Sequence, residues 1–148
     1  MSLIKKFGDF FSNKPDFDEI DIKDLTDLFE EFLDELFINH DLERSDLEFS
    51  ISIKSPKVIK ALIIINPNIN IRGRQGSMIV KEVLYRIIES EEMKSLRSQI
   101  KQNYKLYDTL DELEKLENES RFDRTTTSDF KILNIQDSGF ITFTITPK

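Results

Sequence analysis

An unbroken apolar run at residues 58–65 constrains the fold more than any other part of the sequence. The run reads VIKALIII, and its ALIII portion indicates a strand that is buried on both faces or central in a sheet. The preceding residues alternate strictly between apolar and polar side chains, which is typical of a strand with one solvent-exposed face. The alternating apolar residues are Leu47, Phe49, Ile51 and Ile53. Ser55 and Pro56 form a turn between the runs, so the two segments predict a β-hairpin.

The strongest helix pattern precedes this hairpin. Apolar residues recur at intervals of three and four over residues 25–37 and form one continuous stripe. The stripe consists of Leu25, Leu28, Phe29, Phe32, Leu33, Leu36 and Phe37. Asp21 or Asp24 is expected to cap the start of this helix. Residues 16–37 contain ten acids and one lysine, net −9, so the opposite face of the helix is predicted to be densely negative.

Two more helices are predicted after the hairpin. Ser77 is expected to cap a helix that runs to about Glu89, and Ser90 to cap a longer one. The apolar positions of the longer helix approach a heptad and extend through Tyr107 to Leu116. They fit a helix packed on the sheet or a short intermolecular coiled coil. Thr109 and Glu112 also match a capping box, which would break this helix.

A second hairpin is predicted near the end of the sequence. Residues 130–136 are expected to pair with residues 140–146 across Asp137, Ser138 and Gly139. The element order is then α-α-β-β-α-α-β-β. This order predicts the α+β class, with a small antiparallel or mixed four-stranded sheet, two hairpins and helices packed on one face. Residues 15–148 are expected to form a single α+β domain.

Residues 1–14 are predicted to form an amphipathic N-terminal arm. Its apolar residues lie at helical spacing: Leu3, Ile4, Phe7, Phe10 and Phe11. Because so short a helix is marginal alone, the arm needs a surface to lie on. That surface is its own domain, a partner or neighbouring copy, or a membrane surface.

Charge is segregated along the chain. Residues 1–50 carry 15 acids and 5 bases, net −10, whereas residues 51–107 carry 4 acids and 11 bases, net +7. Three interpretations remain open. The two regions neutralise each other within the fold, the acidic region meets a basic partner, or the basic region meets an acidic partner.

A basic, glycine-containing loop at residues 72–77 is the candidate binding site. It presents Arg72 and Arg74 beside two glycines, and Ser77 stands where a helix is expected to begin. Backbone N–H groups and guanidiniums in this order suit an anion. The loop lacks the lysine and the spacing of a P-loop. It is interpreted as a surface connection, a carboxylate-binding site or a phosphate site. The isoelectric point of about 4.8 argues against direct nucleic-acid binding.

Several chemistries are unfavoured by composition. The chain has no cysteine, so thiol nucleophiles and disulfides are excluded, and its one histidine, His40, is poor equipment for zinc. No catalytic motif, metal site or cofactor is predicted, and the chain is expected not to be an enzyme. No apolar run approaches the roughly 20 residues of a membrane span.

The leading hypothesis is a non-enzymatic protein–protein interaction or assembly subunit, bound to a protein partner or its own copies in a larger assembly. Twenty isoleucines and fourteen lysines against one alanine indicate an AT-rich genome, which fits a phage or viral structural component. The expected location is intracellular, in the cytoplasm or within a virion. The alternatives are an acidic regulator of a nucleic-acid-binding protein and an anion or nucleotide binder that uses residues 72–77.

Overall fold

The computed structural model describes residues 16–123 and 139–148, which form four helices and a four-stranded sheet. The helices are α1 (Glu19–Asn39), α2 (Ser77–Ile88), α3 (Glu91–Asn103) and α4 (Thr109–Asp123). The strands are β1 (Leu47–Ser55), β2 (Val58–Ile65), β3 (Tyr104–Asp108) and β4 (Phe140–Pro147). The predicted arm at residues 1–14 and the predicted strand at residues 130–136 lie outside the described residues.

The sheet is antiparallel throughout, with the strand order β1-β2-β4-β3. The predicted α+β class is therefore confirmed. The first predicted hairpin is also present, since β1 pairs with β2 from Leu47 opposite Ile65 to Ser55 opposite Val58. The central position predicted for residues 58–65 is correct, because β2 lies between β1 and β4.

The first helix begins earlier than its apolar stripe indicates. Its N-cap is Asp18, whose carboxylate accepts from the backbone N–H groups of Ile20 and Asp21, while the Asp21 carboxylate accepts from the Asp18 N–H. This reciprocal pair satisfies N–H groups that have no partner within the helix. Asp21 therefore belongs to the cap as its third helical residue, and the prediction that Asp21 or Asp24 is the N-cap is wrong.

One face of the sheet carries the core. Alternate residues of β2 and β4 point into it and are buried: Ile59, Ala61, Ile63, Ile65, Ile141, Phe143 and Ile145. The helices α1, α2 and α3 supply its other side, as predicted for helices on one face. Phe29 of α1 stacks on Phe49 of β1 and contacts Phe143 of β4 edge-on, with ring centroids 5.0 and 4.9 Å away. Aromatic contact thus adds to apolar burial where α1 crosses the strands.

The predicted long helix from residue 90 is interrupted. Ser90 caps α3 as expected, accepting from the Met93 N–H at 3.1 Å, but the helix ends at Asn103. Strand β3 follows, and Tyr107 is 47% exposed rather than part of an apolar helix face. The chain continues into α4, which contacts β3 and β4 and buries Leu113 and Leu116 outside the main core.

The start of α4 has a local cause, a capping box that lies one residue before the predicted one. Asp108 accepts from the Asp111 N–H at 3.1 Å, and Asp111 accepts from the Asp108 N–H at 2.9 Å. This is a capping box, and it starts α4 at Thr109. The Thr109 hydroxyl instead accepts from the Thr142 N–H at 2.9 Å, which ties the helix start to β4.

The second predicted hairpin does not account for β4. From Phe143 to Ile145 this strand pairs with β2 on one side and with β3 on the other. A backbone has two hydrogen-bonding edges, and β2 and β3 occupy both of them over these three residues. Residues 130–136, the predicted partner strand, lie outside the described residues, so the second hairpin itself stays a prediction. Turn residues between two apolar runs indicate a hairpin between neighbouring segments. They carry no information on distant strands such as β2 and β3, which pair with the two edges of β4.

The buried stripe of α1 predicts the effect of a truncation. Phe32 is 3% exposed, so Phe32→Ala should lower the free energy of unfolding by about 3–5 kcal/mol through lost burial and the cavity left behind. Ile38→Ala, at an 81% exposed position of the same helix, should change it by less than about 0.5 kcal/mol. Urea unfolding measures both. A loss below about 1 kcal/mol for Phe32→Ala would show that its ring is not part of the core.

Candidate interaction site

The basic loop is a tight hairpin turn. Ile71 and Arg74 exchange two backbone hydrogen bonds, each 3.0 Å long, across the two residues between them. Those two residues, Arg72 and Gly73, have φ angles of 53° and 80°. Positive φ at both central positions is what a type I′ turn demands, and glycine supplies it without steric cost. Gly73 is therefore explained by turn geometry.

The turn consumes backbone donors that an anion pocket would need. The Gly73 N–H donates to the Asn70 side-chain oxygen at 2.9 Å, and the Arg74 N–H donates to the Ile71 carbonyl. Helix α2 starts just beyond, with Gly76 as its N-cap and no side-chain cap, so the prediction that Ser77 caps this helix is wrong. Ser77 is instead the first residue of α2. At least the N–H groups of Gly73 and Arg74 are therefore already bonded within the turn.

The two arginines have different surroundings. Arg74 lies 3.4 Å from a carboxylate oxygen of Glu82 on α2, in a pair that is largely exposed to solvent. Arg72 is exposed, and within the described ranges no carboxylate forms an ion pair with it. Arg74 therefore pairs with a carboxylate of the helix that follows the loop, and whether the loop also binds a carboxylate of another molecule stays a prediction. An exposed pair of this kind contributes about 0.2–1 kcal/mol.

Among the described residues, nothing covers the acidic face of α1. Asp27, Glu30 and Glu31 are exposed, and Asp34 on the same helix pairs with Arg44 at 3.0 Å. Basic residues of the middle segment pair elsewhere: Arg74 with Glu82, Lys94 with Glu91, and Arg97 with Asp108 and Asp111. None of those carboxylates belongs to α1. These pairs therefore do not provide the mutual neutralisation that charge segregation allowed.

The corner between α3 and α4 holds the most buried charge. The Arg97 Nε donates to the fully buried Asp108 carboxylate at 2.8 Å, and another guanidinium nitrogen of Arg97 lies 3.0 Å from Asp111. Burial raises the pKa of Asp108, against the lowering effect of the Asp111 N–H and of Arg97. Both carboxylates also form the cap of α4, so this cluster fixes a chain reversal and has a sufficient structural explanation.

Both ends of α1 are held by polar contacts. At its start, Tyr104 donates its hydroxyl to Asp21 at 3.0 Å, and burial together with this carboxylate raises the tyrosine pKa. At its end, one Glu92 oxygen is 2.9 Å from the Asn39 amide nitrogen and 3.1 Å from the His40 Nε2. The Asn39 hydrogen bond is the largest cause that holds the pKa of Glu92 below its ordinary value.

This contact predicts a dependence of stability on pH. A lowered carboxyl pKa contributes stability that is present above the ordinary value of about 4.3 and is lost as the pH falls through the folded-state pKa. Asn39→Ala should therefore lower the free energy of unfolding by about 0.5–1.5 kcal/mol near pH 7 and by less near pH 3. Urea unfolding at both pH values measures this, with the exposed Asn103→Ala as the control. Equal losses at the two pH values would contradict the assignment.

The outer edge of β1 is the longest unpaired strand edge in the described sheet. The strand has nine residues and stands first in the strand order, with β2 on its inner side. Phe49, Ser50, Ile51, Ser52 and Ile53 pair regularly with β2, and a bulge follows between Ile53 and Ser55. These five residues include no charge and no proline, the features with which proteins usually protect an edge.

Neither metal chemistry nor a membrane span can be assigned within residues 16–123 and 139–148. These residues contain no group of three or more metal-binding side chains, and their helices are too short or too polar to cross a bilayer. Searches of protein families, of curated proteins and of solved structures found no match to this chain.

The sequence and the structure thus emphasise different candidate residues. Arg72 and Arg74 lie between Ile71 and α2, and Ser77 is the first residue of that helix. The arm residues Leu3, Ile4, Phe7, Phe10 and Phe11 lie outside the described residues. The open β1 edge was not singled out by the sequence, since alternation predicts a strand but not its place in the sheet. The absence of charged residues from Phe49 to Ile53 is the sequence feature that could have indicated this edge.

Reversing the charge of the two loop arginines should affect association of the chain more than its thermal stability. Arg72→Glu with Arg74→Glu should move the melting temperature little, because the ion pair between Arg74 and Glu82 is exposed, while disturbing association of the chain. Thermal melting and light scattering measure the two effects. Lys101→Glu, at an exposed position of α3, is the matched control. If the natural chain binds DNA tightly in a salt-sensitive manner and the double change abolishes this binding, nucleic acid would instead become the leading candidate ligand of the loop.

Proposed function

We propose that this chain is a non-enzymatic protein–protein interaction or assembly subunit that binds a protein partner or its own copies. The observation that carries the proposal is the open edge of β1. Its outer backbone groups face away from β2, and an added strand can satisfy them with main-chain hydrogen bonds. The uncharged residues from Phe49 to Ile53 would let such a strand approach.

The distribution of charge supports the same proposal. The exposed carboxylates of α1 form a negative surface that steers encounters with basic groups, and it operates over roughly 8 Å at physiological salt. Large apolar side chains add to the exposed surface: Ile20, Ile38 and Met78 are 69%, 81% and 78% exposed. The proposal extends to a phage or viral particle, because the residue usage is typical of an AT-rich genome. It also extends to an intracellular location, which the absence of cysteine supports.

Light scattering coupled to size exclusion tests the proposal. The chain alone should show a mass above 17.4 kDa that grows with concentration, and polyphosphate or duplex DNA should not be needed for it. A constant 17.4 kDa, together with polyphosphate-dependent stabilisation that Arg72→Glu with Arg74→Glu removes, would favour the anion or nucleotide binder.

The open acidic face favours a second candidate function, an acidic regulator that binds a nucleic-acid-binding protein. Asp27, Glu30 and Glu31 are carboxylates on successive turns of one helix and are exposed to a partner. A basic DNA-binding domain mixed with the chain should then lose DNA affinity, and Glu30→Lys with Glu31→Lys should reverse the loss. If DNA affinity is unchanged at all ratios, this candidate is excluded for that domain.

The arm provides a further test of assembly. Deleting residues 1–14 should leave the domain folded but weaken association, because this segment contains five apolar residues ahead of a polar, proline-containing link. Circular dichroism checks the fold and light scattering checks the mass. Replacing Phe7, Phe10 and Phe11 by serine in the full chain is the control for the loss of length. Unchanged association in both variants would contradict a docking arm.

A further inference from the structure

The direction of the free backbone groups of β1 follows from hydrogen bonds at the end of the sheet. The Ile65 N–H donates to Gly139 on the β4 side, and the Asn66 N–H donates to Asp46 on the β1 side. Backbone groups point to alternate sides along a strand, so the groups of residues 46, 48, 50 and 52 face β2. The N–H and C=O groups of Phe49, Ile51 and Ile53 therefore face outward from the sheet.

The sequence around this edge is symmetric about Ile51. It reads LEFSISIKS from residue 47 to residue 55, so Ser50 and Ser52 flank the centre, Phe49 and Ile53 follow, and then Glu48 and Lys54. Glu48 and Lys54, the outermost of these pairs, carry opposite charges. Two such strands laid antiparallel with their centres aligned would place each residue opposite its counterpart, as an isologous interface requires.

We propose that two copies of the chain pair through their β1 edges, antiparallel, about a two-fold axis at Ile51. This inference rests on the proposed function and names its partner as a second copy. In this register Ile51 faces Ile51 of the other copy and Phe49 faces its Ile53, and these are the residues whose backbone groups point outward. Three pairs then exchange two hydrogen bonds each, and two four-stranded sheets become one of eight strands.

Both faces of the joined sheet are complementary in this register. On the core side, Ile53 is 42% exposed in one copy and would be covered by the half-buried Phe49 of the other, while the two Ile51 side chains meet at the axis. On the opposite side Ser50 faces Ser52, and Glu48 faces Lys54, which lies at the margin of the bulge. Opposite charges directly across two strands stabilise their pairing.

Neighbouring registers lack this match. A shift of two residues in one direction places Glu48 opposite Ser52 and Lys54 opposite Asp46, which precedes β1 and whose carboxylate already accepts from the Glu43 N–H. A shift in the other direction places Lys54 opposite Ser50 and Glu48 opposite Pro56, so neither charge is matched.

One feature opposes association. Glu30 and Asp34 of α1 line a cavity with Leu47 at the start of β1, so the acidic helices of the two copies add repulsion. Moderate salt should therefore strengthen the dimer by screening this repulsion.

Engineered cysteines test the register directly, because the natural chain has none. Ser50→Cys and Ser52→Cys are single changes at exposed positions on the side of the sheet away from the core. In the proposed register residue 50 of one copy faces residue 52 of the other, within disulfide reach, whereas two copies of residue 50 are about 8 Å apart. Mild oxidation should cross-link an equal mixture of the two variants and leave each variant alone largely uncross-linked.

The outcomes of this experiment separate the inference from the proposed function. Cross-linking of each variant with itself would show a parallel or shifted pairing and overturn the register. A dimer mass without cross-linking in the mixture would show association through another surface, overturning the inference while leaving an assembly subunit in place. A mass of 17.4 kDa at every concentration would overturn the inference and the proposed self-association together.

Charge exchange provides an independent measurement. Glu48→Lys and Lys54→Glu should each raise the dimer dissociation constant about five- to tenfold, since each change places like charges together at both ends of the interface. The double variant should return to within about threefold of the natural chain. Glu114→Lys, at an exposed position of α4, is the matched control. Equal weakening by the single and double variants would overturn the pairing.

Discussion

The arrangement of the described residues depends on the contacts of the Phe29 ring. Its ring is fully buried and touches Phe49 on the edge strand and Phe143 on a central strand, so one side chain joins α1 to strands on both sides of β2. Because this stripe of the helix faces the sheet, the acids between its apolar positions must face water. The position of the negative surface is thus a consequence of where the aromatic side chains pack.

Charge serves two separate purposes in this chain. Arg97 with Asp108 and Asp111 is largely withdrawn from water and fixes the reversal between α3, β3 and α4. The carboxylates of α1 remain in water beside the start of the uncharged edge. An open edge invites pairing with any extended chain, and a net charge of −7 opposes the close approach of many copies. The same molecule therefore combines an attractive backbone edge with a repulsive surface.

The sequence predicts elements well where their pattern is local. The alternation from Leu47 to Ile53 and the run at residues 58–65 locate β1 and β2, and the stripe from Leu25 to Phe37 locates α1. It fails at β3, because Tyr107 continues a helical spacing by coincidence and the capping box at Asp108 and Asp111 begins the next helix. The turn residues at positions 137–139 could not reveal that β4 lies between β2 and β3, since strand order depends on contacts between residues that are far apart in the sequence.

The candidate site shows the same limit. Residues 72–77 look like an anion loop because glycine and arginine suit one, but the N–H groups of Gly73 and Arg74 are already bonded within the turn. Arg74 finds its carboxylate on the adjacent helix rather than on the most acidic one. Net charge predicted the sign of the partner but not its place, because an ion pair forms where packing brings two side chains together.

The central position of β4 has a consequence for how the chain is made. During synthesis β1, β2 and β3 emerge before β4, yet β2 and β3 meet only through it. Until β4 arrives, the inner edge of β2 exposes the apolar residues ALIII with unpaired backbone groups, in a chain still attached to the ribosome. Ribosomes working on the same message hold such segments close together. Slow translation between residues 108 and 140 would therefore favour pairing between nascent chains before each sheet closes.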